Sequence, residues 1–200
     1  MIINIISWSV AVIAIGLTIY YGKNVSRLQK AKKTLTWHDL EVVSDSLTSS
    51  LKRDDFMPEV ILVPGLRGGI IAELLLNRLD RSIPVLTGVS YRDFSRTKRL
   101  NIDGYEKFEI SDDWDILIPK AVFNFKEKRI LIVDDFCLTG EFFQKLRQYL
   151  LNNGFHKDKI RGFYAVITNV TKSAGRVPDY YSFITEDDYF YFPWGKAGIV

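Results

Sequence analysis

Hydrophobic and polar positions divide this chain into two regimes. Ile2 to Tyr21 passes twenty positions without a charge and is dominated by Ile, Val, Ala and Leu. Beyond it the apolar residues recur with short periods. Leu40, Val43, Leu47 and Leu51 fall at helical spacing and predict a helix over Trp37 to Arg53, with Thr36 as N-cap. Pro58 then breaks the chain before an apolar strand, Val60 to Val63, and a tight loop, Pro64-Gly65-Leu66-Arg67-Gly68-Gly69. The pattern next predicts a helix over Ile70 to Leu79, a strand over Val85 to Ser90 and a polar, basic, mobile stretch from Tyr91 to Asn101. Alternating and aromatic patches between Gly104 and Phe125 predict extra strands. The run Ile130 to Val133 suits a strand buried on both faces; a helix to about Asn153 follows, with Gly154 as its stop, then a strand over Phe163 to Thr168. Strand–helix–strand alternation of this kind predicts an α/β fold with a parallel sheet and right-handed crossovers.

The N-terminal run is long enough for a membrane. About twenty residues at roughly 1.5 Å each match a hydrocarbon core of roughly 30 Å. Tyr20 and Tyr21 would sit at the interface, followed by Lys23, Arg27, Lys30, Lys32 and Lys33, with no acid before Asp39. A cleaved signal peptide would carry a basic segment ahead of its apolar core, and nothing basic precedes Lys23. A buried core helix is not normally apolar all round for this length at a terminus. The expectation is a single-pass anchor, residues 1–21, with the rest of the chain in the cytoplasm by the positive-inside rule. Residues 22–35 would be a basic connector and 36–200 the α/β domain.

Composition adds exclusions. The 200 residues carry 27 Lys and Arg against 24 Asp and Glu, a net charge of +3, too small to argue for nucleic acid. A lone cysteine, Cys137, rules out an intrachain disulfide and fits a reducing compartment. His38 and His156 stand far apart without a Cys or His companion at metal-ligand spacing, which argues against a dedicated zinc site.

Candidate chemistry concentrates between Arg129 and Leu146, RILIVDDFCLTGEFFQKL. Asp134 and Asp135 follow the apolar strand, at the edge where open α/β sheets hold ligands. Thr139 and Gly140 lead into a helix whose free N–H groups can hold a phosphate. Acids for sugar hydroxyls beside amides for a phosphate form a site shaped for a phosphorylated sugar. The loop Leu66-Arg67-Gly68-Gly69 adds a second anion cradle, with two glycines and a fixed positive charge at the end of another strand.

These landmarks resemble those of the type I phosphoribosyltransferases, and among them the small bacterial xanthine-guanine enzymes. Val133 to Phe142 resembles the acidic-pair loop, Thr36-Trp37 with Asp39-Leu40 the opening segment, and Leu66 to Gly69 the pyrophosphate loop. Lys172-Ser173-Ala174-Gly175-Arg176 resembles a Lys-Pro-Ala-Gly-Arg segment, and Tyr189 to Trp194 the aromatic hood with its Pro-Trp ending. The resemblance covers Thr36 to Val200 in order. It implies a parallel sheet flanked by helices with a small C-terminal hood. It further implies Mg²⁺-dependent transfer of a ribosyl 5-phosphate from phosphoribosyl pyrophosphate to a purine-like base, with release of pyrophosphate. In that scheme Asp134 and Asp135 receive the ribose hydroxyls, Asp135 helps hold Mg²⁺, and Leu138, Thr139, Gly140, Glu141 and Phe142 surround the 5′-phosphate. Arg67, with Leu66, Gly68 and Gly69, meets the pyrophosphate, where a cis peptide at Leu66-Arg67 would be in keeping. Lys172 donates to a 6-oxo group, Tyr189 stacks on the base, Tyr191 lies near its 2-substituent, and Ser90 to Arg99 supplies a lid. A homo-oligomer is also expected.

Four positions depart from the pattern. Leu138 replaces an acid credited with proton handling near the purine N7, Glu141 a phosphate-loop glycine, Phe142 a hydroxyl residue and Tyr191 an acid. A membrane-bound sensor that binds phosphoribosyl pyrophosphate or a nucleotide without turnover is therefore the second expectation.

Overall fold

A computed structural model describes residues 33–79, 81–92, 102–112 and 114–198. The expected span at Ile2 to Tyr21 and most of the expected lid lie outside these residues. Among the described residues no helix is long and apolar enough to cross a membrane.

Five parallel strands make the central sheet, in the order β2-β1-β6-β7-β8. They are β1 (Val60–Val63), β2 (Val85–Thr87), β6 (Ile130–Cys137), β7 (Ile160–Thr168) and β8 (Tyr180–Thr185). Strand residues alternate between two cores. Ile61, Val63, Leu131 and Val133 face helices α1 (Trp37–Arg53) and α2 (Leu66–Leu76). Val60, Leu62, Ile130 and Ile132 face helix α3 (Glu141–Asn152) through Phe143, Leu146 and Leu150. The near-continuous apolar strands of the sequence are thus the middle layer of a three-layer fold, covered on both faces.

Helix α1 begins where expected. The Thr36 hydroxyl accepts from the Asp39 N–H at 3.2 Å, and an Asp39 carboxylate oxygen accepts from the Thr36 N–H at 2.8 Å, a reciprocal capping box. Helix α3 ends as expected before Gly154, whose φ of 89° lies in the left-handed region.

Elsewhere the boundaries move. The segment expected as a loop up to Gly69 is already helical from Leu66, and that helix stops at Leu76 rather than Leu79. The strand expected over Val85 to Ser90 is two strands. Gly88 separates β2 from β3 (Val89–Arg92), which leaves the central sheet for an antiparallel one with β5 (Trp114–Pro119) and β4 (Tyr105–Ser111). A Cβ at Gly88 would lie 2.9 Å from the Leu117 carbonyl and 3.0 Å from that of Pro64, so the chain passes between two backbones where only glycine fits. The extra sequence after Tyr91 thus forms a second sheet, followed by a 3-10 helix, Lys120–Phe125. It docks on α3: the Tyr149 hydroxyl donates to a Glu106 carboxylate oxygen at 2.5 Å and Lys145 Nζ donates to the Ile110 carbonyl at 2.6 Å.

A C-terminal hairpin, β9 (Tyr189–Phe192) and β10 (Gly195–Gly198), forms the hood. Lys33 to Leu35, placed in the connector by sequence, add an edge to it: Leu35 N–H donates to the Tyr191 carbonyl and Tyr191 N–H to the Lys33 carbonyl, both at 2.9 Å. Leu35 is buried in the same core as Phe190 and Phe192.

Gly162 marks a tight contact between layers, because a Cβ there would come within 2.2 Å of the Phe143 ring. Gly162→Ala is expected to lower stability by about 1–3 kcal/mol through overpacking. Denaturant melts of the full chain in detergent measure this, and an unchanged midpoint would contradict it.

Candidate active site

The C-terminal ends of β1, β6 and β7 carry the candidate residues to one edge of the sheet. Strand β6 does not stop at Val133 but runs on through both aspartates to Cys137, pairing Asp134 with Tyr164 of β7. The two carboxylates are therefore held by a ladder instead of hanging from a loop. Asp135 is 5% exposed and turns toward the hood, where Trp194 Nε1 donates to its Oδ2 at 3.1 Å. Asp134 accepts the Asp135 N–H on Oδ1 at 3.0 Å and lies beside the buried Tyr164, whose hydroxyl has no hydrogen-bond partner.

Burial raises the Asp134 carboxyl well above the usual range, and its neighbour Asp135 raises it further. Asp135 is also raised by burial, against the opposing pull of the Trp194 hydrogen bond and the Arg67 charge. Two acids that are costly to ionise in the free protein are suited to receive hydrogen bonds and positive charge from a ligand.

Arg67 reaches this pair from the first turn of α2. Its Nη1 donates to the Lys196 carbonyl at 2.8 Å, so the hood is tied down at Arg67 and at Asp135. Gly68 has a packing role that its place in the motif did not announce. A Cβ on Gly68 would meet the Val133 carbonyl at 2.4 Å and the Asp134 Cα at 2.9 Å, so this glycine lets α2 approach β6 at the acidic pair. At Gly69 a Cβ would meet nothing within 4 Å. The Leu66-Arg67 peptide is trans, in keeping with the helical turn it occupies. Leu66 is 81% exposed.

The loop expected to hold a phosphate lies between β6 and α3. Gly140 caps α3 with φ 74°, a left-handed conformation suited to glycine. From the end of β7 the Thr168 hydroxyl donates to the Leu138 carbonyl, and the Thr171 hydroxyl to the Cys137 carbonyl at 3.0 Å. These bonds fix the peptides that lead into Thr139, whose Oγ1 accepts the Glu141 N–H at 3.3 Å. Burial pushes the Cys137 thiol up to about 11, so it stays protonated and serves packing.

Two of the departures find physical partners. Glu141 pairs with Arg176 Nη1 at 2.8 Å, which draws its charge toward the Lys172–Arg176 segment. Arg176 also closes over Gly140, where a Cβ would fall 2.5 Å from its own Cβ and carbonyl. Phe142 packs on Trp114 of β5 with ring centroids 5.3 Å apart, so its ring serves the second sheet. Leu138 has no such account.

Of the residues expected to meet a base, Lys172 is exposed near the end of α4 (Asn169–Ser173), the short helix after β7. Tyr189 is half-buried and Tyr191 is 44% exposed, their rings 5.8 Å apart and near perpendicular. Core packing of β9 falls instead to Phe190 and Phe192. Sequence reasoning assigned no role to Thr168, Thr171, Arg176, Trp194 or Lys196. Arg176 and Trp194 stood inside recognised motifs and Lys196 just beyond one, but their partners depend on tertiary contacts.

For Mg²⁺, the donor set is two adjacent carboxylates; among the described residues no group of three or more His, Cys, Asp or Glu forms a metal cluster. That fits a hard cation held by one or two carboxylates together with substrate phosphates.

Because a raised carboxyl pKa favours the protonated folded state, the Asp134 contribution to stability is complete below about pH 4, the unfolded value. It is lost as pH rises through the folded-state value. Asp134→Asn is expected to flatten this fall and to stabilise the ligand-free protein at neutral pH; an unchanged pH slope in denaturant melts would contradict it. Separately, Arg176→Ala frees Glu141 to oppose an anion at the loop, and a ligand phosphate bound there is expected to be held about tenfold more weakly, roughly 1.4 kcal/mol. Adding Glu141→Gln should restore most of that loss in titration calorimetry.

No protein-family profile matches the sequence, nor does any curated protein. Solved structures do. A purine phosphoribosyltransferase from Pyrococcus horikoshii superposes at a TM-score of 0.57 and 24% identity, over 84% of this chain and 97% of its own. A hypothetical protein from Neisseria gonorrhoeae with bound ppGpp gives 0.55 and 18%, over 82% and 89%. The xanthine-guanine-hypoxanthine phosphoribosyltransferase of Helicobacter pylori gives 0.53 and 14%, over 82% and 93%. The likeness is one of fold: the chain has the α/β fold of the type I phosphoribosyltransferases, a parallel sheet flanked by helices.

Proposed function

We propose that this protein transfers the ribosyl 5-phosphate of phosphoribosyl pyrophosphate to a purine-like base, releasing pyrophosphate. The observation that carries the reading is the adjacent pair Asp134 and Asp135 on β6, with Arg67 beside it and the α3 N-terminus beyond it. The carboxylates receive the ribose hydroxyls, and the amides of residues 138–142 with the Thr139 hydroxyl receive the 5′-phosphate. Arg67 faces the pyrophosphate. Asp135, with Asp134, would hold Mg²⁺, which supplies charge neutralisation on the leaving group when bound. Cleavage of the glycosidic C–O bond develops positive charge on the ribose, which the two carboxylates, Asp135 buried and Asp134 partly so, stabilise. Tyr189, Tyr191 and Lys172 orient the base so that its nitrogen attacks as pyrophosphate departs. With Leu138 in the loop, the proton released by the base passes to water rather than to a carboxylate at that position, and general acid–base assistance of the missing kind is worth about 10²–10⁴-fold. Turnover is accordingly slow.

The anchor belongs to the same proposal. Ile2 to Tyr21 holds the enzyme on a membrane, its α/β domain on the cytoplasmic side, supported by the uncharged run and the basic residues after it. A second reading, a nucleotide sensor at the membrane, draws support from Leu138 and from the fold shared with the ppGpp-bound Neisseria protein.

Full-length protein in detergent, given Mg²⁺, phosphoribosyl pyrophosphate and a panel of bases, distinguishes the two. Base-dependent pyrophosphate release that falls at least 100-fold when Asp134→Asn and Asp135→Asn are combined supports the transferase. Tight nucleotide binding without turnover on any base leaves the sensor.

A further inference from the structure

From Tyr189 to Gly198 the hood hairpin reads YFYFPWGKAG, with no carboxylate and a single cation, Lys196. That lysine occupies a defined place. Its carbonyl is held by Arg67 at 2.8 Å, and its Nζ lies 4.8 Å from the centre of the Tyr189 ring. Such a cation–ring contact holds an ammonium while leaving its hydrogens free for another partner. Lys33 also lies against Tyr189, at 5.8 Å, but its charge is taken by Asp187 at 3.1 Å. Among the described residues no carboxylate takes the charge of Lys196 in the same way.

Tyr189 and Tyr191 stand on the hairpin face opposite the buried Phe190 and Phe192. Together with Lys196 this face offers aromatic surface, two phenol groups and an ammonium that has no carboxylate partner among the described residues. A cationic base would be repelled by the ammonium, and no carboxylate of the hairpin offsets that repulsion. A ring carrying negative charge would instead stack on tyrosine and make a charge-assisted bond to the ammonium.

We propose that the hood selects a planar base that carries negative charge, with Lys196 as the residue that determines this specificity. The proposal rests on the reading of the neighbouring site as one for phosphoribosyl pyrophosphate, and it names the class of base that site would serve.

The test compares orotate, a carboxylate, and xanthine, an acidic oxopurine, with the less acidic hypoxanthine and adenine. Full-length protein, Lys196→Met and Lys196→Arg are assayed at pH 8 with Mg²⁺ and phosphoribosyl pyrophosphate. At least one acidic base is expected to exceed both hypoxanthine and adenine tenfold or more in kcat/KM. Lys196→Met should cut that ratio about tenfold through the KM for the base, and Lys196→Arg should retain most of it. Preference for adenine or hypoxanthine, or a ratio unmoved by Lys196→Met, overturns the proposal and leaves the transferase reading standing. A rise in the KM for phosphoribosyl pyrophosphate without a change in the ratio also overturns it, because the ammonium then serves the leaving group. If no base is turned over, the same four bases are titrated by tryptophan fluorescence in the presence of phosphoribosyl pyrophosphate and Mg²⁺. Binding of an acidic base weakened by Lys196→Met then supports the anionic hood while the transferase reading falls; no preference among the bases overturns the hood.

Discussion

The close approach of α2 to β6 governs the geometry of the whole site. With no side chain at Gly68, the first turn of α2 can lie directly against the Val133 carbonyl and the Asp134 Cα. That contact sets the distance between Arg67 and the two carboxylates, and Arg67 in turn holds the Lys196 carbonyl of the hood. A larger residue would have to displace backbone, which in a packed interior costs far more than rotating a side chain. Glycine here serves packing between a helix and a strand, and the charge arrangement follows from it.

A second dependence runs through Asp135. Its carboxylate lies at the junction of the sheet and the hairpin, receiving the Trp194 indole N–H. Trp194 stacks on Phe192 at 5.0 Å and lies 6.0 Å from Trp37 at the start of α1. One acid thereby connects the central strand, the C-terminal hood and the opening helix. The carboxyl that would meet ribose and metal is also an attachment point of the C-terminal hairpin.

Much of this was legible in the sequence, for identifiable reasons. Leu40, Val43, Leu47 and Leu51 mark α1 because one helix face packs on the sheet, and Val60 to Val63 marks β1 because both its faces are covered. The acidic pair, Arg67 and the Thr139-Gly140 loop were singled out by residue type and order, and the structure brings them to one edge of the sheet. Boundaries failed where tertiary contact overrides local preference. Leu66 to Gly69 looks like a loop because it holds two glycines, yet it is helical because Gly68 is needed at β6. Val85 to Ser90 looks like one strand, and the crowding of Gly88 between Pro64 and Leu117 splits it. Glu141 and Phe142 read as defects in a phosphate loop until Arg176 and Trp114 are found beside them. No local pattern announces a partner that is distant in the chain.

The pairing of Lys33 to Leu35 with β9 has a practical side. These three residues cover the outer edge of the hood sheet, giving Tyr191 both of its hydrogen bonds on that side. A shortened chain that begins at Thr36 would keep every landmark of the site and still present an unprotected strand edge lined by Tyr189 and Tyr191. Bare edges of that kind template self-association. The natural start of the foldable unit is therefore Lys33 or earlier, and aggregation of a chain trimmed at Thr36 would reflect a bared hood edge together with the loss of the buried Leu35 side chain.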